Sequence, residues 1–250
     1  MFKGIDISTW QKSNKIDYDK LAEQIDFAIL RIGYTGSRDG ISWAKDTEFD
    51  NHYRELTKRG VPIGVYWFSR ANSIERGIAE ANTVLELVKG LKLEFPIWWD
   101  TEDTVYQAKV SRQTLTDTAK AFCSTIEKAG YYTGIYASTS WLNTRLDMSQ
   151  LQMYDVWVAQ YHTSVTYKGR YGMWQHTDKG RLNGYDGDLD LNIAYRDYKK
   201  IITNAKLNHL PTELPPLEVI NECLSADEIE SIVKMAIKDE LSKVKWVIEK

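Results

Sequence analysis

Two carboxylates one residue apart, Asp100 and Glu102, end the apolar run Phe95-Pro96-Ile97-Trp98-Trp99. If that run is a strand, residues i and i+2 project to one face, with Cα atoms about 6–7 Å apart. Carboxyl groups held that close raise each other's proton affinity, so one of them can keep a proton near neutral pH. The neighbouring Trp98 and Trp99 would add desolvation in the same direction. A protonated acid beside an anion is the equipment of glycoside hydrolysis: one group protonates the leaving oxygen, the other answers the developing positive charge. An Asp-x-Glu step is also what an ordinary solvated strand end looks like. Its place after a buried Trp-Trp strand in mid-chain is what gives it weight.

Further acids stand at comparable positions. Asp6 closes the apolar run Lys3–Ile7 and is followed by Ser8, Trp10 and Gln11; Asp190 lies within Asp188-Leu189-Asp190-Leu191-Asn192. If the first and last strands are neighbours in a closed barrel, Asp6 and Asp190 meet at one side of the same mouth. The competing reading of Asp6 is a turn or cap residue. Asp186 and Asp188, in Gly184-Tyr185-Asp186-Gly187-Asp188, read as turn residues bonding their own backbone. The four histidines show no HxxH pairing, and Cys123 and Cys223 stand far apart. No metal site, disulfide framework or cofactor is expected.

These residues need elements to hold them. Short apolar runs rich in Ile, Val, Trp and Tyr predict strands at Lys3–Ile7, Phe27–Ile32, Gly64–Phe68, Pro96–Asp100, Thr133–Tyr136, Val156–Ala159, Gly172–His176 and Asp188–Leu191. Amphipathic spacing predicts helices at Asp17–Gln24, Thr47–Arg59, Ser73–Lys89 and Ser111–Ala129. Gly60, Gly90 and Gly130 then fall where a helix ends in the left-handed conformation. Strand–helix alternation argues for a parallel sheet with helices outside, and eight strands suggest closure into a barrel. Only 12 residues lie between Ala159 and Gly172, at the lower limit of about a dozen for a helical crossover. The expected fold class is therefore α/β: an irregular (β/α) barrel of about eight strands, five β/α units plus three strands, followed by a C-terminal amphipathic helix.

Residues 1–205 form the expected catalytic barrel, 206–224 a linker carrying Pro211, Pro215 and Pro216, and 225–250 a helix opened by Ser225-Ala226-Asp227-Glu228. Ile229, Val233, Ile237, Leu241, Val244 and Ile248 make one apolar stripe on that helix. Self-association into a homo-oligomer through residues 225–250 is the first reading of the stripe, packing back on the barrel the second. The formal charge of −3 provides no basic field for nucleic acid. No run approaches the roughly 20 apolar residues of a membrane span. The tail is acidic where interfacial helices are rich in Lys and Arg, so no stable membrane insertion is expected. The opening Met1-Phe2-Lys3-Gly4 lacks the pattern of a secretory leader. The corresponding expectation is synthesis in a host cytoplasm and access to a cell wall by a holin-type pore or lysis.

Gly4-Ile5-Asp6-Ile7-Ser8-Thr9-Trp10-Gln11 resembles the opening of glycoside hydrolase family 25, the muramidase lysozymes of bacteria, phages and some fungi. The resemblance continues in order through Gly64-Val65-Tyr66-Trp67-Phe68, Ile97-Trp98-Trp99-Asp100-Thr101-Glu102, Gly134-Ile135-Tyr136-Ala137-Ser138, Trp157-Val158-Ala159-Gln160-Tyr161, Trp174-Gln175-His176-Thr177 and Asp190-Leu191-Asn192, covering about residues 1–198. It implies a barrel of five β/α units plus three strands, with Glu102 as general acid, Asp100 as partner carboxylate, and Asp6 and Asp190 completing an acidic cleft. The implied reaction is hydrolysis of the β-1,4 bond between N-acetylmuramic acid and N-acetylglucosamine of peptidoglycan with net retention, as in a phage endolysin. Either the substrate's acetamido oxygen or a carboxylate serves as nucleophile. Tyr66, Trp67, Trp98, Tyr136, Gln160 and Trp10 are the expected substrate-binding residues, with Trp67 standing where many members carry His. Two other readings stay open: a non-catalytic wall-binding or phage structural protein, and a hydrolase of another amino-sugar polymer such as chitin.

Overall fold

The computed structural model describes residues 1–210 and Lys234. Strands β1 (Phe2–Ile7), β2 (Phe27–Thr35), β3 (Trp43–Lys45), β4 (Ile63–Phe68), β5 (Ile97–Asp100), β6 (Thr133–Ser138), β7 (Asp155–Ala159), β8 (Met173–Gly180) and β9 (Leu189–Ala194) form one sheet in the order β1-β9-β8-β7-β6-β5-β4-β2-β3. A parallel pairing of β1 with β2 closes it into a barrel and leaves β3 as an appendage on β2. Helices α1 (Tyr18–Ala22), α2 (Phe49–Lys58), α3 (Ile74–Val88), α4 (Arg112–Lys128) and α5 (Thr139–Thr144) each follow a barrel strand, and α6 (Tyr198–Asn204) follows β9. The eight expected strands are all present, in the expected plan of five β/α units and three strands.

Four features differ from the sequence reading. Strand β9 runs antiparallel to both β8 and β1, because the eight residues 181–188 are too few for a crossover and permit only a hairpin-like return. The three-residue β3 and the short α5 and α6 offer too few residues for a periodic signal. The longer helices follow their local chemistry. Asp17, Ser73 and Ser111 each accept a hydrogen bond from the backbone N–H three residues on, satisfying a donor the first turn leaves open. Gly60, Gly90 and Gly130 take φ of 73°, 78° and 83° just past the ends of α2, α3 and α4, a conformation that costs other residues about 1 kcal/mol or more.

Two buried layers result from strand alternation. Outward-facing residues such as Leu30, Val65, Trp99, Ile135 and Val158 pack beneath the helices. Inward-facing residues Phe27, Ile29, Trp98, Tyr136, Trp157 and Met173 fill the barrel. The interior accommodates these rings by setting glycine beside them: a Cβ on Gly134 would lie 2.4 Å from the Trp98 ring, and one on Gly4 2.6 Å from Phe27. At the N-terminal end, α6 closes the barrel. Tyr198 joins the inner core and its hydroxyl donates to Asp155 Oδ2 at 2.9 Å.

Residues 206–210, at the start of the expected linker, lie against this closed end. The buried Asn208 accepts from the N–H of Tyr132 at 2.7 Å and donates to the carbonyls of Leu93 (2.9 Å) and Phe95 (3.2 Å). The proline-rich segment and, Lys234 apart, the expected 225–250 helix with its self-association lie outside the described residues. Asn208→Ala orphans three backbone groups, each costing about 1–3 kcal/mol when buried without a partner. Urea unfolding should therefore show a loss of several kcal/mol, about 3, with the site chemistry unchanged.

Candidate active site

The C-terminal ends of the parallel strands surround a concave mouth with a cavity of about 230 Å³, the end at which barrels of this kind carry their chemistry. Asp6, Asp100, Glu102 and Asp190 all line it. Asp6 and Asp190 are register partners across β1 and β9, so the reversal of β9 is what sets them side by side. Asp6 is buried. Its Oδ2 accepts from Asn192 Nδ2 at 2.7 Å and Gln175 Nε2 at 2.9 Å. Burial holds the Asp6 carboxyl above its ordinary range, and the hydrogen bonds from Asn192, Gln175 and Asp190 offset only part of that rise. Asp190 is pushed up to about 9, by burial first and then by the charge of Asp6. The pair therefore holds one proton at neutral pH, on Asp190 and shared toward Asp6.

A polar lattice spreads from this pair across the floor. Gln175 Oε1 accepts from the hydroxyls of Tyr136 (2.8 Å) and Tyr161 (3.1 Å), and Asn192 Oδ1 accepts from Trp157 Nε1 (2.8 Å). Gln175 and Asn192 thus orient Asp6, and neither was singled out as a site residue from sequence. The available signal was an amide at an inward-facing position of an otherwise apolar strand, where burial demands a partner.

Asp100 and Glu102 share a face because Thr101 between them is held to the other side. Thr101 is buried. Its N–H donates to the Tyr136 carbonyl at 3.0 Å, and its hydroxyl to Gln107 Oε1 at 3.0 Å. Gln107 also accepts the Asp103 N–H and donates to Ser69 and to the Ala71 carbonyl. Asp103 Oδ1 takes the N–H of Tyr106 at 2.6 Å. The strand-to-loop turn carrying Glu102 is thereby clamped on both sides. Behind it, the buried Glu80 of α3 accepts from Thr35 (2.5 Å), Ser69 (2.5 Å), the N–H groups of Arg70 and Ala71 (both 3.1 Å) and Trp99 Nε1 (3.4 Å). One carboxylate so ties together the ends of β2, β4 and β5.

The two central acids differ in setting. Asp100 is 3% exposed, and its Oδ1 is buried with no hydrogen-bond partner among the described residues. Burial, then the charges of Glu102 and Asp6, hold its carboxyl well above the ordinary range, against a downward pull from Arg31 and Arg70. Glu102 is open to solvent on the cleft side, yet crowded enough that desolvation, then Asp6 and Asp103, raise it too. Among the described residues no three His, Cys, Asp or Glu side chains are disposed to hold a metal ion.

The expected binding residues divide. Trp10 is 76% exposed at the rim, and Tyr66 and Tyr136 line the floor. Trp67, Trp98 and Gln160, also expected to bind substrate, are not among the residues that line the cleft. Trp67 alternates with the inward Tyr66 and Phe68, so it faces outward, fully buried over Gly33 and near Trp43. Trp98 faces inward but one layer too deep, packed on Trp157 and Tyr198. The Gln160 side chain bonds Thr139 and Thr166 instead. Tyr161, Phe68 and Arg31 line the mouth and were not expected there.

The Asp6–Asp190 pair has a consequence for stability. Asp190 is raised from about 4 in an unfolded chain to about 9 in the fold, so the folded state keeps a proton that the unfolded state has released. Its contribution is complete below about pH 4 and is lost as pH rises through 9. The urea midpoint of the parent chain should fall over that window. Asp190→Asn should flatten the fall, leaving the part of it that the raised Asp100 and Glu102 produce; an unchanged slope would contradict the pairing.

Residues 5–185 match the model of glycosyl hydrolases family 25. The chain is 27% identical over 195 residues to the protein YegX of Escherichia coli K12, covering 76% of this chain and 68% of YegX. It is 26% identical over 191 residues to the autolytic lysozyme of Clostridium acetobutylicum, covering 76% and 55%. Among solved structures it resembles the modular autolysin LytC from Streptococcus pneumoniae in complex with a synthetic peptidoglycan ligand, at 27% identity and a TM-score of 0.67, covering 78% of this chain and 46% of LytC. The chain thus spans about half the length of the last two. With the matched region spanning the barrel from β1 to the turn before β9, and with four carboxylates gathered at its mouth, the chain belongs to glycosyl hydrolases family 25.

Proposed function

We propose that this chain is a muramidase that hydrolyses the β-1,4 bond from N-acetylmuramic acid to N-acetylglucosamine in the peptidoglycan of the bacterial cell wall, with Glu102 as general acid and Asp100 as its partner. The observation that carries the division of roles is the contrast between the two acids. Glu102 opens on the cleft, where a proton donor must reach a leaving oxygen. Asp100 is buried with an unpaired acceptor oxygen.

In the free enzyme, deeper burial holds a proton more firmly on Asp100 than on Glu102. An acetamido N–H donated to Asp100 Oδ1 would satisfy that orphaned acceptor and favour its anion, leaving Glu102 as the acid that carries the proton. Glu102 then protonates the departing O4 of N-acetylglucosamine as the acetamido carbonyl oxygen closes on C1 with its N–H held by Asp100. Water, deprotonated by Glu102, opens the resulting ring at C1 and returns the carbon to its starting configuration. Substrate-assisted chemistry of this type is one of the recognised routes to retention. Trp10 at the rim and Tyr66 and Tyr136 on the floor offer ring faces to sugar C–H groups. Asp6 and Asp190, sharing one proton, keep the far wall of the cleft polar with one negative charge in place of two.

The test is a digest of purified peptidoglycan by the parent chain and by Glu102→Gln, with the products reduced and weighed. New reducing ends should appear on muramic acid, and the variant should lose roughly 100-fold or more in kcat while still binding the wall. Reducing ends on glucosamine, or no cleavage by either protein, would overturn the proposal.

A further inference from the structure

A second cavity, of about 400 Å³, adjoins the acidic cleft and shares Trp10, Arg31 and Phe68 with it. Its character is opposite: it presents Arg31 and Arg70, and no carboxylate lines it among the described residues. Both guanidinium groups are fixed from behind. Arg31 Nε donates to Asp46 Oδ2 at 2.7 Å, and the buried Asp46 is itself held by the N–H groups of Thr9 and Glu48. Arg70 Nε donates to the buried Asp103 at 3.1 Å, and its Nη1 donates to the carbonyl of Thr35. Each also lies over an aromatic ring, Arg31 at 5.2 Å from the Tyr34 centroid and Arg70 at 4.8 Å from Phe68. Side-chain exposures of 12% and 15% leave each a narrow open strip.

Held on one edge by a carboxylate and on one face by a ring, a guanidinium has little freedom left to lose and can offer its remaining N–H groups to a planar anion. We propose that this cavity is a subsite for a carboxylate of the peptide substituent on the bound glycan, held by Arg31 and Arg70. The inference rests on the peptidoglycan reading above. Electrostatics sort the substrate across the mouth: the negative charge that remains on the acid cluster repels an anionic substituent from the cleft, and the arginine side receives it. The peptide is favoured over a wall phosphate polymer because the cavity adjoins the cleft along Trp10, Arg31 and Phe68, beside the sugar being cut and its own substituent.

The experiment compares kcat/KM on glycan chains that keep their peptides with the same chains stripped by an amidase, both freed of phosphate polymers. The parent chain should prefer the peptide-bearing substrate by about tenfold, the scale of one hydrogen bond to a charged group. That preference should shrink at high salt. Arg31→Gln and Arg70→Gln should each bring the ratio toward one, whatever they do to the absolute rate. Independently of any variant, the free peptide should inhibit cleavage of stripped chains by the parent protein, and the same peptide with its carboxylates amidated should not. Equal rates of the parent on both substrates would overturn the subsite, as would variants that slow both substrates alike, or a preference restored by phosphate polymer in place of peptide. Cleavage of neither substrate would overturn the muramidase reading itself, and the subsite with it.

Discussion

The acids of this protein stand on an aromatic floor. Inside the closed sheet, Trp98, Trp157, Tyr136 and Tyr198 pack in tilted and edge-to-face contacts at centroid distances of 4.5–6.0 Å. They fill the space that inward-facing side chains must fill if a barrel is to be solid. The floor sets the height of the site. An inward residue one layer lower, such as Trp98, is core; the next inward residue on the same strand, Asp100, is at the mouth. Removing a floor ring of this size costs about 3–5 kcal/mol, and with it goes the low-dielectric base on which the electrostatics of the mouth depend. The glycines facing these rings belong to the same constraint, since a Cβ at Gly134 would occupy the place of the Trp98 ring.

Above the floor the arrangement is a problem in charge. Four carboxylates around one cavity cannot all ionise, and the fold resolves this in two ways. On one wall Asp6 is stabilised as the anion by Gln175 and Asn192 while Asp190 holds the proton. On the other, Asp100 and Glu102 are both raised, and are distinguished by reach: one buried with an empty acceptor, one open to the cleft. Buried acids that take no part face away from the mouth and are satisfied by donors, as Glu80 is by five. Arg31 joins the two halves of the mouth, pulling Asp100 downward on one side and lining the cationic cavity on the other.

Much of this was legible in the chain because it rests on short-range rules. Strand periodicity put Asp100 and Glu102 on one face, and capping residues and glycines marked the ends of the longer helices. The same periodicity, applied to Tyr66-Trp67-Phe68, also separates an outward Trp67 from its inward neighbours. Depth is different. Trp98 and Asp100 have the same parity on β5, and only the filled interior distinguishes a core ring from a cleft acid. Gln160 has the place of a cleft residue at the end of β7, but its hydrogen bonds to Thr139, at the start of α5, and to Thr166 depend on contacts between segments that no local pattern describes.

The sequence by itself determined the number and order of the barrel strands, the alternation of helix with strand through the first four units, and the adjacency of Asp100 and Glu102, because each follows from the spacing of apolar and polar residues along a few turns of chain. Only the tertiary structure decided the direction of β9, the pairing of Asp6 with Asp190 across 184 positions of sequence, the lattice through Gln175 and Asn192, and the setting of Arg31 and Arg70 against Asp46 and Asp103. Those features arise from closure of the sheet, which brings distant segments into hydrogen-bond contact and removes water from between them. Neither contact nor desolvation is a property of a stretch of chain read alone.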